Sequence, residues 1–460
     1  MRSIVMKFGG SSVVDALAIE RVTSIVARAR GTDVAPVVVV SALGGVTDSL
    51  LALAERATGQ DSAGLEAGIA ALVQRHTNEA SRLGAMRDVS LAAALARHFD
   101  ELRAALSAIG RGEASDLLAH DVVAATGELL SSRIVAAALY GRGLPAAWVD
   151  ARALVVTDDR HTCAAPLFAE TCAAADALIR PLLANASIPV LGGFVGSTVA
   201  GATTTLGRGG SDYSASVVGA AIDAAEIQIW TDVDGMLTAD PRIVPGTEVV
   251  SQLSYAEAAE LAYFGAKVLH PSTIFPAVSR EIPVRILNSR RPDAPGTLIT
   301  ASPAPAGGRP FTALAGKRGI TVIDITSSRM LMAHGFLLRV FEVFEKYATA
   351  VDVVTTSEVS VSVTVDDRSR VADIVADLQH VAEVTVEEKM AILSVVGDAL
   401  RRDPGLAARV VGAMADFPLR MVSQAASRRN LTVVLPEHCL GAAMTHLHTA
   451  FFPVTQTSGR

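Results

Sequence analysis

Charged side chains stand beside glycines in several short segments, an arrangement in which proteins bind phosphate and carboxylate groups. In KFGGSS, Lys7 ends an apolar run, and Gly9 and Gly10 precede a helical pattern. A strand-to-helix junction presents unpaired backbone N–H groups and the positive end of a helix dipole, which suit an anion. The segment is a candidate phosphate cradle, although a strand-end lysine followed by a glycine turn and a serine cap would explain it equally well. It is not a Walker A loop, because the chain contains no GxxxxGK[ST] motif.

The segment TTTLGRGGSDYSAS contains a second glycine-rich turn that opens into a helical pattern. Arg208 has the geometry to bind a carboxylate with two hydrogen bonds, and Ser211 suits a helix cap or an anion contact. Asp212 is suited to orient an ammonium group or a catalytic lysine. An ordinary capped turn explains the glycines and the serine but not the arginine and the aspartate together, so the pattern favours a functional site.

Two further segments are weaker evidence for a functional site when each is taken alone. WTDVDGMLTADPR places an acidic loop after a strand, and ligands bind at the carboxyl ends of strands in open α/β sheets; a solvated acidic turn would explain Asp234 by itself. In YFGAKVLHP, Lys267 and His270 follow a helical pattern, where lone residues of these types are usually surface groups. Glu128, in TGELLSS, has the spacing of an ordinary helix-surface carboxylate but is also a candidate acid.

Together, two lysines, two glycine-rich anion loops and an acidic loop form a set suited to phosphoryl transfer. That chemistry depends on charge neutralisation and alignment more than on a covalent nucleophile.

The elements that must position these residues fall into two regions. Residues 1–299 alternate short Val/Ile-rich runs with helical periods, which predicts an α/β domain with a mostly parallel sheet covered by helices. The Ala/Leu-rich span 50–138 predicts several helices. A stretch rich in Pro, Gly, Ala and Ser at 288–310 indicates a domain boundary. Beyond it, two β-α-β-β-α cycles form a weak internal repeat of two small α+β units, with the donor of a last strand left open.

Composition excludes several classes of protein. The 460 residues are 50% hydrophobic, enough for two or three globular domains. The net charge of −7 is scattered without a basic stripe, so no nucleic-acid partner is expected. Apolar runs such as VAPVVVV are far shorter than the roughly 20 residues that span a bilayer, and the N-terminus lacks a signal-peptide profile, so we expect a cytoplasmic protein without a membrane partner. The three cysteines form no CxxC pair, which makes a disulfide framework or a sulfur-ligated metal unexpected.

Seven segments resemble those of aspartate kinases, in the amino-acid kinase family: KFGGSSV, VVSALGGVTDSL, GELLSS, GGFVGS, TTTLGRGGSDYSA, TDVDGMLTADPR and ELAYFGAKVLHP. The resemblance covers essentially the whole chain, and the tail is similar to paired ACT regulatory domains. It implies an amino-acid kinase fold over 1–300 and ferredoxin-like ACT domains over 316–385 and 386–460. Since no homoserine dehydrogenase segment follows Phe452, it also implies a monofunctional kinase, as a homodimer or homotetramer associated through the ACT domains.

The activity implied by the resemblance is transfer of the γ-phosphoryl group of MgATP to the β-carboxylate of L-aspartate, giving 4-phospho-L-aspartate and ADP. Lys7 would stabilise the transferring phosphoryl group, Gly9 and Gly10 would cradle it, and Asp212 would hold Lys7 in position. The residues implied to bind aspartate are Ser41, Thr47, Glu128, Arg208 and Ser211. Those implied to bind the nucleotide are Lys7, Gly9, Gly10, Thr231, Asp232, Asp240, Arg242, Lys267 and Val268. No protein metal ligand is evident, so Mg²⁺ would be held mainly by phosphates.

MLMAHGFLLRVFEVF and the following VDVVTTSEVSVSVTV resemble the first ACT domain of lysine-inhibited aspartate kinases. This implies an effector site made of Met330, His334, Gly335, Phe336, Asp352, Thr356, Ser357 and Glu358. N–H groups at the Gly335–Phe336 step would take the effector carboxylate, while Asp352 or Glu358 would meet its ammonium. Ala333 stands where many such enzymes have serine, which leaves the identity of the effector open. A helix start with a core aromatic would explain the same step.

Two alternative functions remain open at this stage. One is a kinase for another small acid, such as glutamate or acetylglutamate, because Arg208 and Glu128 do not measure the length of the substrate. The other is an inactive amino-acid sensor that uses only its ACT repeat, against which Lys7, Asp212 and Lys267 argue.

Overall fold

The computed structural model describes residues 2–32, 34–112, 116–264, 271–303, 311–327, 334–424 and 429–452. Contacts divide the chain into two compact units. The N-terminal unit comprises Met1–Met236, Ser251–Tyr255 and Val268–Pro303, and the C-terminal unit comprises Leu237–Val250, Ala256–Lys267 and Ala304–Arg460.

The helices are, in chain order, α1 (Ala16–Arg30), α2 (Val46–Thr58), α3 (Ser62–Arg82), α4 (Val89–Gly110), α5 (Asp116–Gly141), α6 (Ala151–Leu154), α7 (Phe168–Leu178), α8 (Arg180–Ala184), α9 (Gly210–Ala221), α10 (Tyr255–Tyr263), α11 (Phe275–Ser279), α12 (Phe336–Lys346), α13 (Val371–Leu378), α14 (Pro404–Ala413) and α15 (Leu440–Phe451). The strands are β1 (Arg2–Phe8), β2 (Val34–Val40), β3 (Ala146–Trp148), β4 (Val156–Thr157), β5 (Ile188–Gly192), β6 (Val195–Thr198), β7 (Thr203–Thr205), β8 (Glu226–Thr231), β9 (Gln252–Ser254), β10 (Val284–Asn288), β11 (Thr297–Thr300), β12 (Ala313–Thr326), β13 (Val354–Thr356), β14 (Ser360–Val365), β15 (Glu383–Val396), β16 (Met421–Ser423) and β17 (Asn430–Pro436).

The main sheet of the N-terminal unit has the order β3-β5-β2-β1-β8-β10-β11-β9. Neighbouring strands from β3 to β10 are parallel, and β11 pairs antiparallel with β10. Six consecutive residues of β2, from Ala35 to Val40, are buried, because a parallel sheet is covered on both faces. The predicted α/β fold with a mostly parallel sheet is confirmed. Since β1 lies between β2 and β8, the loops at its carboxyl end lie at a switch point in strand order, where such sheets bind ligands.

Helices α2 to α5 occupy the Ala/Leu-rich stretch and supply much of the core of this unit, together with β1 and β2. One of them, α5, is long and apolar enough to cross a membrane by length and composition alone. However, 83% of its apolar window, within Leu117–Gly141, is buried inside the protein. This burial is typical of the central helix of a globular core. A small sheet of order β4-β6-β7 lies in the same unit.

The C-terminal unit contains an antiparallel sheet of order β13-β14-β12-β15-β17-β16. The long strands β12 and β15 pair from one end to the other and serve two separate cores. The second half of β12 joins a core that includes Ile323, Val340 and Ile374. Its first half contributes Leu314 to a core with Leu393 and other residues of β15, β17, α14 and α15.

This sharing of β12 supplies the strand whose donor the sequence left open. Its first half, from Ala313 to Arg318, pairs with the end of β15, and β15 pairs in turn with β17. The core of this half also includes Ala239 and Val244, so the segment Leu237–Val250 belongs by contacts to the C-terminal unit although it lies within 1–300.

Candidate active site

A cavity of about 710 Å³ opens in the N-terminal unit and collects most of the predicted catalytic and aspartate-binding residues. Its lining includes Lys7, Ser41, Thr47, Glu128, Arg208, Ser211 and Asp212. These residues come from β1, the loop after β2, α2, α5, the turn before α9 and the first turn of α9. Residues far apart in the chain, such as Lys7 and Asp212, therefore meet in one site.

Lys7 and Asp212 form an ion pair at the centre of this lining. Lys7 lies near the carboxyl end of β1, opposite Val39 and Ile229 of the flanking strands. Its Nζ is 2.6 Å from Asp212 Oδ1, with both side chains more than four-fifths buried. Asp212 lies in the first turn of α9, where the helix dipole favours a carboxylate. The pair fixes an ammonium group at the edge of the sheet.

The glycines after β1 leave space beside this ammonium. A Cβ atom added to Gly9 would lie 3.6 Å from Lys7 Nζ, so the bare backbone leaves room for a small anionic group. The Gly9 N–H donates to the carbonyl of Trp230 at 3.1 Å, and the Ser289 N–H donates to that of Thr231 at 2.8 Å. The turn after β1 is thus tied to the end of β8, where the predicted nucleotide residues Thr231 and the exposed Asp232 lie. Gly10 has no place in the cavity lining; a Cβ there would lie 3.4 Å from the carbonyl oxygen of Ala42.

Glu128 is a buried carboxyl group on the α5 wall of the cavity. Desolvation raises its pKa to about 8, and the Ala42 backbone N–H and the charge of Lys7 oppose this shift only in part. Its Oε2 is buried and has no hydrogen-bond partner among the described residues. A buried polar atom without a partner is costly, so a cationic ligand group in the cavity would stabilise this oxygen.

Arg208 lies in the tight turn before α9, and Ser211 lies in the first turn of that helix. Gly209, with φ of +73°, caps the helix in the left-handed conformation, which glycine adopts without strain. A Cβ on Gly193 would approach Ser211 Cα to 2.8 Å, so a glycine there allows β5 and α9 to pack closely. Arg208 is exposed, and none of the described residues forms an ion pair with it. Its guanidinium is available to an anionic ligand.

Ser41 and Thr47 complete the predicted aspartate-binding set. The Ser41 N–H donates to the carbonyl of Phe8 at 3.0 Å, and Ser131 Oγ donates to the Ser41 carbonyl at 2.8 Å. Thr47 lies in the first turn of α2, after Gly45 in a left-handed cap. Unpaired N–H groups at such a helix start suit a carboxylate.

Sequence reasoning missed several residues of the lining. These are Leu51, Leu117, His120, Asp121, Ala124, Thr162, Phe194, Thr205 and Gly207. Those on α5 could have been found from the sequence, because they share the spacing of one helix face with Glu128: Leu117, His120, Asp121 and Ala124. Phe194 has φ of +66°, unusual for a bulky residue, but nothing in GGFVGS indicates this conformation.

The remaining predicted nucleotide residues are not part of this lining. Lys267 and Val268 lie outside the described residues. Asp240 and Arg242, in the C-terminal unit, bind each other: Arg242 Nε donates to Asp240 Oδ1 at 3.0 Å, Nη2 donates to Oδ2 at 2.7 Å, and the Arg242 backbone N–H donates to Oδ1 at 2.9 Å. The hydrogen bond from Arg242 lowers the pKa of Asp240, and the arginine side chain is 82% exposed.

Comparison with known proteins identifies the family. The sequence model of the amino acid kinase family matches residues 2–288, and the sequence model of an ACT domain matches residues 393–451. The chain belongs to the amino acid kinase family. It is 38% identical to aspartokinase 3, chloroplastic, of Arabidopsis thaliana, over 97% of this chain and 81% of that protein. It is 35% identical to lysine-sensitive aspartokinase 3 of Escherichia coli, over 98% of this chain and 99% of that one. The aspartokinase resemblance read from the sequence is confirmed.

Solved structures of this family agree with the fold. Escherichia coli aspartokinase III, in complex with aspartate and ADP in the R-state, matches with a TM-score of 0.81 and 34% identity over 98% of this chain and 99% of that one. The same enzyme in complex with lysine and aspartate in the T-state matches equally well. Aspartate kinase of Clostridium acetobutylicum has a TM-score of 0.81 at 27% identity, over 97% of this chain and 100% of that one.

The predicted effector residues belong to the C-terminal unit. One of them, Met330, lies outside the described residues, as does Ala333. Gly335 has φ of +81° and caps α12, and Phe336 is buried. His334, Ser357 and Glu358 are exposed, and Thr356 ends β13.

Within the predicted effector set, Asp352 carries a buried carboxylate. Its side chain is 4% exposed, and Oδ1 lies 2.9 Å from Lys317 Nζ. The Tyr263 hydroxyl donates to the same oxygen at 3.1 Å. Oδ2 is buried and has no hydrogen-bond partner among the described residues, so one carboxylate oxygen is already paired with an ammonium and the other is free to bind one.

Proposed function

We propose that the chain is an aspartate kinase, which transfers the γ-phosphoryl group of MgATP to the β-carboxylate of L-aspartate and releases 4-phospho-L-aspartate and ADP. The observation that carries the proposal is the 2.6 Å ion pair of Lys7 and Asp212 in one cavity with Glu128 and Arg208. The Escherichia coli relative crystallised with aspartate and ADP supports it.

The chemistry requires charge stabilisation more than proton removal. An oxygen of the β-carboxylate attacks the γ-phosphorus, the bond from phosphorus to the β–γ bridging oxygen breaks, and that oxygen leaves with ADP. Because a carboxylate is already ionised at neutral pH, no general base is needed. Lys7 stabilises the negative charge on the transferring group, Asp212 holds Lys7 in place, and the space beside Gly9 admits phosphate oxygens.

The other charged groups select the amino acid. Arg208 binds a substrate carboxylate, because its exposed guanidinium has the planar geometry for two parallel hydrogen bonds. Glu128 binds the substrate ammonium through Oε2, the oxygen to which no described residue donates a hydrogen bond. Ser41, Thr47 and Ser211 supply hydroxyl and backbone contacts in the same lining.

Mg²⁺ fits this site as a partner of the nucleotide. Among the residues described, no group of three or more His, Cys, Asp or Glu side chains is placed to hold a metal, so phosphate oxygens and water would be its main ligands. When bound, the ion neutralises phosphate charge. The proposed nucleotide contacts remain those implied by the sequence: Thr231, Asp232, Asp240, Arg242, Lys267 and Val268.

Regulation and assembly form the second part of the proposal. Lysine binds at the effector residues around Asp352 and inhibits the reaction, as the lysine complex of the Escherichia coli relative suggests. The chain assembles as a homodimer or homotetramer through its ACT domains and acts in the cytoplasm, at the first step of the pathway to aspartate-derived amino acids.

A hydroxylamine-trapping assay with MgATP tests the proposal, with L-aspartate and L-glutamate compared as substrates and L-lysine or L-threonine added at millimolar concentration. We expect an acyl hydroxamate from aspartate, little from glutamate and suppression by lysine. Preference for glutamate would indicate a kinase for another acid. No hydroxamate from either acid, with lysine still bound, would indicate an amino-acid sensor. Activity indifferent to lysine would leave the kinase and remove the effector assignment.

A further inference from the structure

A fully buried carboxylate that the proposed reaction does not use lies in the wall of the cavity. Asp121 has no exposed surface and lies on α5 two turns before Glu128, about 10.5 Å along the helix axis. Both residues line the cavity. Burying a carboxylate is costly unless it is fully hydrogen-bonded, so its partners indicate what the protein gains from it.

Asp121 accepts hydrogen bonds from two other segments. Thr205 Oγ1 on β7 donates to Oδ1 at 2.5 Å, and the Thr162 backbone N–H donates to the same oxygen at 3.0 Å. His161 Nδ1 lies 2.7 Å from Oδ2 and carries the proton, because a carboxylate only accepts. One side chain therefore ties α5 to β7 and to the loop that contains His161 and Thr162.

The two tethered segments meet at the turn that presents Arg208. Thr205 is the last residue of β7, and only Leu206 separates it from Gly207 and Arg208. The Ala164 N–H donates to the Thr205 carbonyl at 2.9 Å, so the loop and the strand are also tied to each other. A Cβ on Gly207 would lie 3.4 Å from the Thr162 carbonyl oxygen, which shows that the loop packs against the turn.

The conformation of Thr162 indicates that this loop is held in place. Its φ of +68° is left-handed, a conformation that costs a β-branched residue free energy and persists only where the surroundings impose it. The N–H group of the same residue is the one that donates to Asp121. The carboxylate thus stabilises a strained loop behind the Arg208 turn.

We propose that Asp121 is a positioning residue for recognition of the substrate carboxylate: by holding Thr205 and Thr162, it fixes the turn that presents Arg208. This inference rests on the proposed function, since it assigns Arg208 to the substrate. Arg208 itself is exposed and has no ion-pair partner among the described residues. Its position therefore depends on the backbone of its turn and not on contacts of its side chain. Asp121 acts through that backbone and does not touch the reacting atoms.

The Asp121→Asn variant tests the proposal by steady-state kinetics. An amide cannot accept from all three donors, since its NH₂ group faces at least one of them. We expect KM for aspartate to rise about tenfold or more, because hydrogen bonds to a charged group are lost. We expect KM for ATP and kcat at saturating aspartate to stay within about twofold, because Lys7 and Asp212 are untouched.

A pair of adjacent strand residues supplies a milder variant and its matched control. Thr205→Val removes one hydrogen bond to Asp121, and we expect KM for aspartate to rise several-fold. Thr204 is equally buried in the same strand, but its hydroxyl pairs with that of Thr157 at 2.7 Å and is not in the cavity lining. Thr204→Val should lose similar stability and leave KM for aspartate unchanged. Equal effects of the two valine substitutions on KM would reduce Asp121 to a structural role and overturn the proposal.

A double-mutant cycle with Arg208→Ala tests the route of the effect. If Asp121 acts through Arg208, Asp121→Asn changes KM for aspartate little once the arginine side chain is gone. Fully additive effects of the two substitutions on KM for aspartate would show that Asp121 does not act through Arg208. Wild type that neither binds nor phosphorylates aspartate would overturn the proposed function itself, whereas active wild type with an unchanged KM in Asp121→Asn would overturn only the role of Asp121.

Discussion

The raised pKa of Glu128 makes substrate binding dependent on pH. Burial raises the pKa of this carboxyl group to about 8 in the ligand-free protein, so at pH 7 about nine-tenths of the molecules carry the proton. Pairing with the substrate ammonium requires the carboxylate, so binding must release that proton. KM for aspartate should rise about fivefold between pH 8 and pH 7 and about ninefold between pH 7 and pH 6.

Calorimetry measures the proton directly. Aspartate binding, titrated at pH 7 in two buffers of different ionisation enthalpy, should release about 0.9 proton per site. Glu128→Gln cannot ionise, so its proton release should be near zero and its KM should vary little between pH 6 and pH 8, while exceeding that of wild type at pH 8. His120→Asn is the control, because His120 lines the same cavity and its loss should leave the pH dependence in place.

Protein stability gives a second measure that does not depend on activity. The carboxyl group of Glu128 has its ordinary pKa of 4.5 when the protein is unfolded and a pKa of about 8 when it is folded. Between these values the folded state binds more protons, so this group makes the free energy of unfolding fall as pH rises. Glu128→Gln should therefore gain stability relative to wild type as pH rises from 5 to 8. Equal proton release by wild type and Glu128→Gln, or a stability difference that stays constant with pH, would refute the reasoning.

Three further substitutions test the other assignments. Lys7→Ala should lower kcat by on the order of a hundredfold or more, because the transition state loses a charge partner; near-normal turnover would remove Lys7 from the mechanism. Arg208→Ala should mainly raise KM for aspartate, by roughly tenfold to a hundredfold, and an unchanged KM would contradict its assignment. Asp352→Asn should raise the lysine concentration for half-inhibition at least about tenfold without changing lysine-free kcat, since a charged partner is lost. Its control is Asp366→Asn, because Asp366 also pairs with Lys317, at 2.7 Å, but is not an assigned effector residue; equal effects of both would assign the change to Lys317 instead.

Local sequence patterns predicted the fold class and the centre of the candidate site. Glycines beside Lys7 and Arg208 indicate tight turns and close backbone approach whatever the rest of the chain does. Alternating apolar runs and helical periods indicate a parallel sheet, whose strand ends bring such turns together. The pairing of Lys7 with Asp212 was implied only by the resemblance to aspartate kinases, and in the folded chain the two side chains form an ion pair.

Other features depended on contacts between distant segments. The spacing of Asp121 on α5 shows its helix face, but only the folded chain brings Thr205 and Thr162 to its carboxylate.

The sequence by itself determined the turns, the strand and helix periods and the charged residues beside the glycines, because these depend on neighbours along the chain. Only the tertiary structure decided that β12 serves two cores and that Leu237–Val250 packs with the C-terminal unit. It also decided that Glu128 is buried and that one of its oxygens has no hydrogen-bond partner within the described part of the chain. Strand pairing, burial and the resulting pKa depend on which distant surfaces meet, and periodicity in a single sequence does not specify the partner.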